Sequence, residues 1–301
     1  VADGLPPALN AARAGGIETR CLRRGPLAMG GGTMTADAGE RMKVVILCGG
    51  QGTRIRDAGE HLPKPMLPIG GKPIVWHIMK SYARHGFKDF VLTLGYKGWV
   101  IKEFFLNYRA MTTDLRVTLG AHKAVEVLGS HDEEDWSVTL AETGEHTQTG
   151  GRVAAVRRYV EGDGLFMLTY GDGVSDVDIR ALVDFHRAHG KIATVTAVHP
   201  PGRFGEMVIE GGAVSEFNEK PQTTAGFING GFFVFDARRA WDFLGADPQT
   251  ILEREPLRRL AAAGELVAFE HRGFWQPMDT FREYTLLNDL WTRGVAPWKT
   301  W

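Results

Sequence analysis

From Lys43 onward the chain alternates between two hydrophobic rhythms. Residues 44–47 form a short unbroken apolar run that ends in Gly49-Gly50. Such a run, closed by glycine, reads as a parallel strand buried on both faces and entering a loop. Residues 73–86 read as a helix, with proline just inside the start and glycine just past the end. Ile74, Ile78, Met79 and Tyr82 share one of its faces. Residues 90–94 repeat the strand pattern, and residues 98–108, carrying Ile101, Phe104 and Phe105, repeat the helical one. Strands follow at 137–140 and 165–169, a helix at 178–189 with Ile179, Leu182, Val183 and His186 on its apolar side, and a strand at 193–198. The acidic stretch 131–135 reads as a solvated loop. This series predicts an α/β fold, a doubly wound and mostly parallel sheet with right-handed crossovers.

The second half is less regular. Residues 207–209 and 213–217 flank Gly211-Gly212 and predict a β-hairpin. A strand at 232–235, a helix at 255–263, a strand at 266–269 and a last helix at 280–293 follow, with no internal repeat. The added strands make the sheet mixed and suggest one continuous domain over 42–301 with a substrate-side extension. Residues 1–41 are different: rich in Ala, Gly and Arg, with Gly30-Gly31-Gly32 and no apolar period. They read as a disordered extension, either a dispensable tail that a translation start at Met42 removes or a basic arm for a partner.

Charge and cysteine content narrow the function. Lys and Arg number 35 against 36 Asp and Glu, a net charge of −1, so no global field favours nucleic acid or an anionic membrane. Two cysteines, Cys21 and Cys48, make no disulfide framework and favour a reducing compartment. With no membrane-length apolar run and no signal-peptide core, the cytoplasm is the expected location.

The chemistry sits where strands end. Gly49-Gly50-Gln51-Gly52-Thr53-Arg54 follows a buried strand directly. Glycines there let backbone N–H groups approach a phosphate, and Arg54 can grip one in a fork. The third glycine of a dinucleotide fingerprint and the Gly-Lys-Ser/Thr of a P-loop are both missing. A tight turn with a surface arginine is the simpler alternative. In Pro63-Lys64-Pro65-Met66 two prolines restrict where one lysine points, which suits a developing phosphoryl charge as well as it suits a solvated surface lysine. Thr169-Tyr170-Gly171-Asp172-Gly173 puts a carboxylate past the end of an apolar strand, as a Mg2+ ligand or as a simple Gly-Asp-Gly turn. In Gly273-Phe-Trp-Gln-Pro-Met-Asp279-Thr280 the aspartate precedes the last helix, as an N-cap or as the partner of Asp172. Glu219-Lys220-Pro221 and Asn229-Gly230-Gly231 suit sugar hydroxyls and a sugar phosphate, and Thr149-Gly150-Gly151-Arg152 opens a helix as an anion-friendly terminus.

In this order the motifs resemble the sugar-phosphate nucleotidylyltransferase family over residues 42–301. Within it the likeness is to the cytidylyl-transferring branch, carried by Lys72-Pro-Ile-Val-Trp-His-Ile-Met79, Gly95-Tyr-Lys-Gly98, Thr149 to Arg152, Pro200-Pro-Gly-Arg-Phe-Gly205, Gly273 to Asp279 and the tail Ala296-Pro-Trp-Lys-Thr-Trp301. The resemblance implies a sheet of the nucleotide-diphospho-sugar transferase type. It implies CTP and α-D-glucose 1-phosphate as substrates, CDP-glucose and pyrophosphate as products, Mg2+ as cofactor, a homohexamer, and supply of dideoxysugar synthesis for surface polysaccharide. Leu47, Gly49, Gly50, Gln51, Gly52, Thr53, Arg54 and Lys64, with Thr147, Arg152 and Gly171, would contact the nucleotide. Arg54, Lys64 and Asp172 would be catalytic, and Asp172 and Asp279 would hold the metal. Glu219, Lys220, Asn229 and Gly230 would face the sugar phosphate. Cys48, where relatives more often carry alanine, is expected to be a small buried residue. A uridylyl- or thymidylyltransferase on the same fold and a non-catalytic sugar-nucleotide sensor are the rival readings; a dehydrogenase is remote without its fingerprint.

Overall fold

The computed structural model describes residues 42–50, 62–120, 124–200, 206–210, 213–218 and 226–301, the stretches 206–210 and 213–218 as backbone only. The expected disordered extension 1–41, and Gln51, Gly52, Thr53, Arg54, Glu219 and Lys220, lie outside the described residues. In chain order the first part holds β1 (Val44–Leu47), a 3-10 turn (Lys64–Met66), β2 (Pro68–Ile69), β3 (Lys72–Pro73), α1 (Ile74–Arg84), β4 (Asp89–Leu94), α2 (Gly98–Leu106), α3 (Tyr108–Thr112), β5 (Asp114–Thr118), β6 (Ala124–Leu128) and β7 (Ser137–Glu142). The middle holds α4 (Thr149–Ala155), α5 (Arg157–Val160), β8 (Leu165–Tyr170), β9 (Gly173–Ser175), α6 (Ile179–His189) and β10 (Ala193–Val198). Last come β11 (Glu206–Glu210), β12 (Ala213–Asn218), β13 (Ile228–Asp236), α7 (Trp241–Leu244), α8 (Glu255–Ala262), β14 (Leu266–His271), β15 (Trp275–Pro277) and α9 (Phe281–Thr292).

A 7-stranded sheet of order β14-β10-β13-β8-β1-β4-β7 forms the centre. Only β13 runs against its neighbours, pairing antiparallel with both β10 and β8, while β8, β1, β4 and β7 are mutually parallel. The apolar run of β1 explains its central place. Val44, Ile46 and Cys48 face one buried layer with α1, α6 and the C-terminal tail; Val45 and Leu47 face the other with α4, α7 and α8. The predicted hairpin at 207–217 is the β11–β12 pair. No helix among the described residues is long and apolar enough to cross a membrane.

Two expectations need correction. The helix predicted over 98–108 breaks at Asn107 into α2 and α3, because Asn107 turns its amide back to the Glu103 carbonyl at 2.9 Å. The stretch 131–135 is not simply solvated. Glu133 is buried and paired with Lys80 at 2.7 Å, and His131 beside it lines a cavity of about 570 Å³ with Tyr108 and Trp136. A carboxylate taken from water needs such a cation.

The tail belongs to the core. Trp298 is fully buried, stacks on Phe274 and donates to His77 Nδ1 at 3.4 Å, while His77 Nε2 donates to the Ile69 carbonyl at 2.9 Å. Burial pushes the His77 imidazole down to about 4, so this clamp is neutral.

Candidate functional site

The strand order of the sheet reverses at β1. Moving along the chain, β4 and then β7 are added on one side of it, and β8 is placed on the other. Loops leaving the carboxyl ends of β1 and β8 therefore flank one crevice, the usual ligand position in open α/β sheets. Gly171 just after β8 donates to the Leu47 carbonyl at 3.0 Å. A Cβ on Gly171 would stand 2.7 Å from that oxygen and 3.2 Å from both Cys48 Sγ and Pro65, so only glycine lets the two loops close. The crevice holds a cavity of about 200 Å³ whose wall includes Leu47, Gly49, Gly50, Lys64, Gly171 and Asp172. Cys48 is buried beneath it, as expected of a small core residue.

Two carboxylates meet here through a short ribbon. Antiparallel β9 and β15 pair Gly173 with Pro277, Val174 with Gln276 and Ser175 with Trp275. The Met278 amide extends the ladder by donating to the Asp172 carbonyl at 2.8 Å. Asp172 and Asp279 thus leave the same end of the ribbon. The other end is tied: Ser175 Oγ donates to the Phe274 carbonyl at 2.8 Å, and His271 Nε2 lies 2.9 Å from Asp176 Oδ1 and 3.3 Å from Ser175 Oγ. The alternative that Asp279 caps the last helix does not hold. Thr280 is the cap, in a capping box with Glu283, and Glu283 also accepts from the Asp279 amide at 2.6 Å. The Asp279 carboxylate is left to face the crevice.

Lys64 lies between them. Its ammonium donates to Asp172 Oδ2 at 2.6 Å and to Asp279 Oδ1 at 2.5 Å. Burial alone pushes the ammonium down, but Asp172 and then Asp279 outweigh it, and the pKa lies above the ordinary lysine value. Both carboxylate side chains keep 35% of their surface exposed, so a ligand in the crevice can reach them. A divalent cation fits this donor set: hard oxygens from two residues, already spaced around one positive charge. Mg2+ is commonly held by one or two carboxylates plus substrate phosphates. Among the described residues no group of three or more His, Cys, Asp or Glu is arranged for a metal.

Arg152 does not face open solvent. Its buried guanidinium donates to the carbonyls of Leu94, Gly144, Glu145 and Gly49 and to Thr143 Oγ1. It braces Gly49 from below; a Cβ on Gly49 would sit 2.1 Å from it. The expected anion-friendly terminus of α4 is closed. The Gly150 and Gly151 amides both donate to the Thr250 carbonyl, at 2.9 and 3.1 Å, because the helix starts against the 248–252 segment. Thr147, on the cavity wall, donates from Oγ1 to the Thr143 carbonyl at 2.6 Å.

Asn229 and Gly230, at the start of β13, join a polar chain that the sequence did not disclose. Asn229 Nδ2 donates to Tyr170 Oη at 3.2 Å, Tyr170 Oη to Glu253 Oε1 at 2.5 Å, and Thr149 Oγ1 to Glu253 Oε2 at 2.7 Å. Trp275 Nε1 donates to the Gly230 carbonyl at 2.7 Å. Tyr170 stood in a noted motif, but Glu253 carries no local signal; its partners are brought to it by the fold.

Residues 43–285 match the family model described as nucleotidyl transferase. The chain is 53% identical over 262 residues to glucose-1-phosphate cytidylyltransferase of Salmonella typhi, covering 86% of this chain and 100% of that protein. It is 43% identical over 260 residues to the probable glucose-1-phosphate cytidylyltransferase of Bacillus subtilis, covering 86% and 100%. Among solved structures it resembles HddC from Yersinia pseudotuberculosis, with TM-score 0.59 and 20% identity over 83% of this chain and 99% of that one. That likeness bears on the fold alone.

Proposed function

The chain belongs to the nucleotidyl transferase family, and from that premise we propose that it transfers the cytidylyl group of CTP to α-D-glucose 1-phosphate, giving CDP-glucose and pyrophosphate. The reaction class is carried by the convergence of Lys64, Asp172 and Asp279 at the crevice where β1 and β8 end. The choice of substrates is supported by the likeness to the Salmonella typhi and Bacillus subtilis proteins.

An oxygen of the sugar phosphate attacks the α-phosphorus of CTP. The new P–O bond forms as the α–β phosphoanhydride breaks, and the electron pair leaves on pyrophosphate. The nucleophile is already an anion, so no side chain has to remove a proton; the protein positions two polyanions and offsets their repulsion. In this reading Leu47, Gly49 and Gly50, with Gln51, Gly52, Thr53 and Arg54, form the phosphate loop, and Arg152 sets its height by holding the Gly49 carbonyl. Thr147 and Gly171 contact the nucleotide. Lys64 and Arg54 meet the charge that develops on the triphosphate. Glu219, Lys220, Asn229 and Gly230 receive the sugar phosphate. Asp172 and Asp279 hold a divalent cation, Mg2+ in this proposal, which when bound neutralises phosphate oxygens as a Lewis acid.

Self-association, as a homohexamer, is part of the proposal. Its support is the β5–β6 ribbon. Leu115 pairs with Val127 and Val117 with Val125, which puts four aliphatic side chains on one face, and Leu115, Val117 and Val125 are exposed. A two-stranded ribbon with a bare apolar face is marginal alone and is expected to be covered.

The test is pyrophosphate release with glucose 1-phosphate, Mg2+ and each of CTP, UTP, dTTP and ATP. Release with CTP is expected. Release mainly with UTP or dTTP overturns the cytidylyl reading, and none from a folded protein that binds a sugar nucleotide favours a sensor.

A further inference from the structure

Lys64 is held by backbone geometry and aimed by charge. Its 3-10 turn is closed by hydrogen bonds from the Met66 amide to the Pro63 carbonyl at 2.8 Å and from the Leu67 amide to the Lys64 carbonyl at 3.1 Å. Prolines stand on either side of it, so only the side-chain stem can move the ammonium. The Lys64 side chain is 13% exposed, and its ammonium is shared by one oxygen of each carboxylate. The trio carries one net negative charge, against two for the carboxylates alone. A second cation approaching the same two oxygens meets Lys64 in its way and is repelled by it at short range.

We propose that Lys64 is a tethered counter-ion that competes with a divalent cation for Asp172 and Asp279, and that a nucleotide triphosphate releases the competition by drawing the ammonium onto its phosphates. This rests on the reading of Asp172 and Asp279 as cation ligands given above. The consequence is reciprocal coupling: the protein without nucleotide binds divalent cation weakly, nucleotide strengthens that binding, and the cation strengthens nucleotide binding by the same factor. Lys64 then has two roles in sequence. It keeps the carboxylate pair spaced and compensated before substrate arrives, and it becomes a phosphate ligand afterwards.

The probe is Mn2+, followed by its paramagnetic resonance signal, on the full chain with and without a CTP analogue whose α–β bridge is a methylene. In the wild type the analogue is expected to tighten Mn2+ binding by on the order of tenfold or more. In Lys64→Met without analogue, Mn2+ binding is expected to be tighter than in the wild type by on the order of tenfold, because the carboxylates have lost their internal cation. The analogue should tighten Mn2+ binding less in Lys64→Met than in the wild type, because only its own phosphate oxygens then contribute. Lys64→Arg, which keeps the charge, should bind Mn2+ as weakly as the wild type. Asp172→Asn in the Lys64→Met background should abolish the gain. Should Lys64→Met misfold by melting temperature, Lys64→Gln serves the same comparison. Equal or weaker Mn2+ binding in a folded Lys64→Met protein overturns the proposal, as does a gain that survives Asp172→Asn. Wild-type turnover with CTP and glucose 1-phosphate is read separately: turnover without the Mn2+ gain rejects the counter-ion and keeps the functional reading. A gain without turnover does the reverse.

Discussion

Of the small antiparallel ribbons outside the central sheet, β9–β15 and β5–β6 have opposite characters. The β9–β15 ribbon has three residue pairs, yet Val174, Ser175 and Gln276 are buried and both of its ends are tied by hydrogen bonds to residues that directly flank its strands. The β5–β6 ribbon has five pairs, and every residue of β5 is exposed. Its one cross-strand ion pair, Arg116 with Glu126 at 2.8 Å, stands in solvent. Length of pairing does not decide which ribbon can hold a side chain in place. Burial and side-chain ties do, since an exposed ion pair contributes little and a buried hydrogen bond left unmade costs more than a made one contributes. The short ribbon can therefore aim two carboxylates, while the long one offers a surface that its own fold leaves bare.

Removing what the short ribbon carries should have the largest effect. Asp172→Asn is expected to lower pyrophosphate release on the order of a thousandfold with the melting temperature preserved; loss of the fold instead would make Asp172 a structural residue. Loosening the ribbon without touching its carboxylates comes next. His271→Ala leaves Asp176 without its partner, and we expect turnover to fall roughly tenfold to a hundredfold with displacement of Asp172 and Asp279. Unchanged kinetics with a lowered melting temperature would mean the tie serves stability only. For the long ribbon, Val117→Asp should shift the assembly towards smaller species by light scattering while moving protomer stability by no more than about 0.5 kcal/mol. An assembly that keeps its mass would show that this face is not an interface. Arg116→Ala should be the smallest change, about 0–1 kcal/mol in denaturant unfolding.

The sequence disclosed one ribbon's cargo and neither ribbon's structure. Strands such as 44–47 and 165–169 were legible because a parallel strand buried on both faces is an unbroken apolar run. Asp172 was legible for the same reason, standing where such a run stops. Asp279 was ambiguous, because an aspartate before a helix is a good cap in the absence of tertiary information; only the Thr280–Glu283 box frees it. Arg152 looked like an open anion ligand, and nothing local tells that its guanidinium is spent on carbonyls from three separate segments. Three-residue strands such as β9 and β15 carry too few positions to show any period, and the β5–β6 face escaped notice as a distinct element. Glu253 and His271 act through partners about a hundred residues away, or nearly so, in the chain.

Cys48 lies sealed where the loops after β1 and β8 touch, its sulfur 3.2 Å from where a Cβ on Gly171 would stand. Burial, and then the Asp172 charge, push its thiol well above the ordinary value, with Arg152 pulling the other way. A thiol so protected reacts with an alkylating reagent only while the crevice is transiently parted. With Cys21→Ser removing the other thiol, the labelling rate of Cys48 becomes a clock for that parting, and ligands that draw the two loops together should slow it.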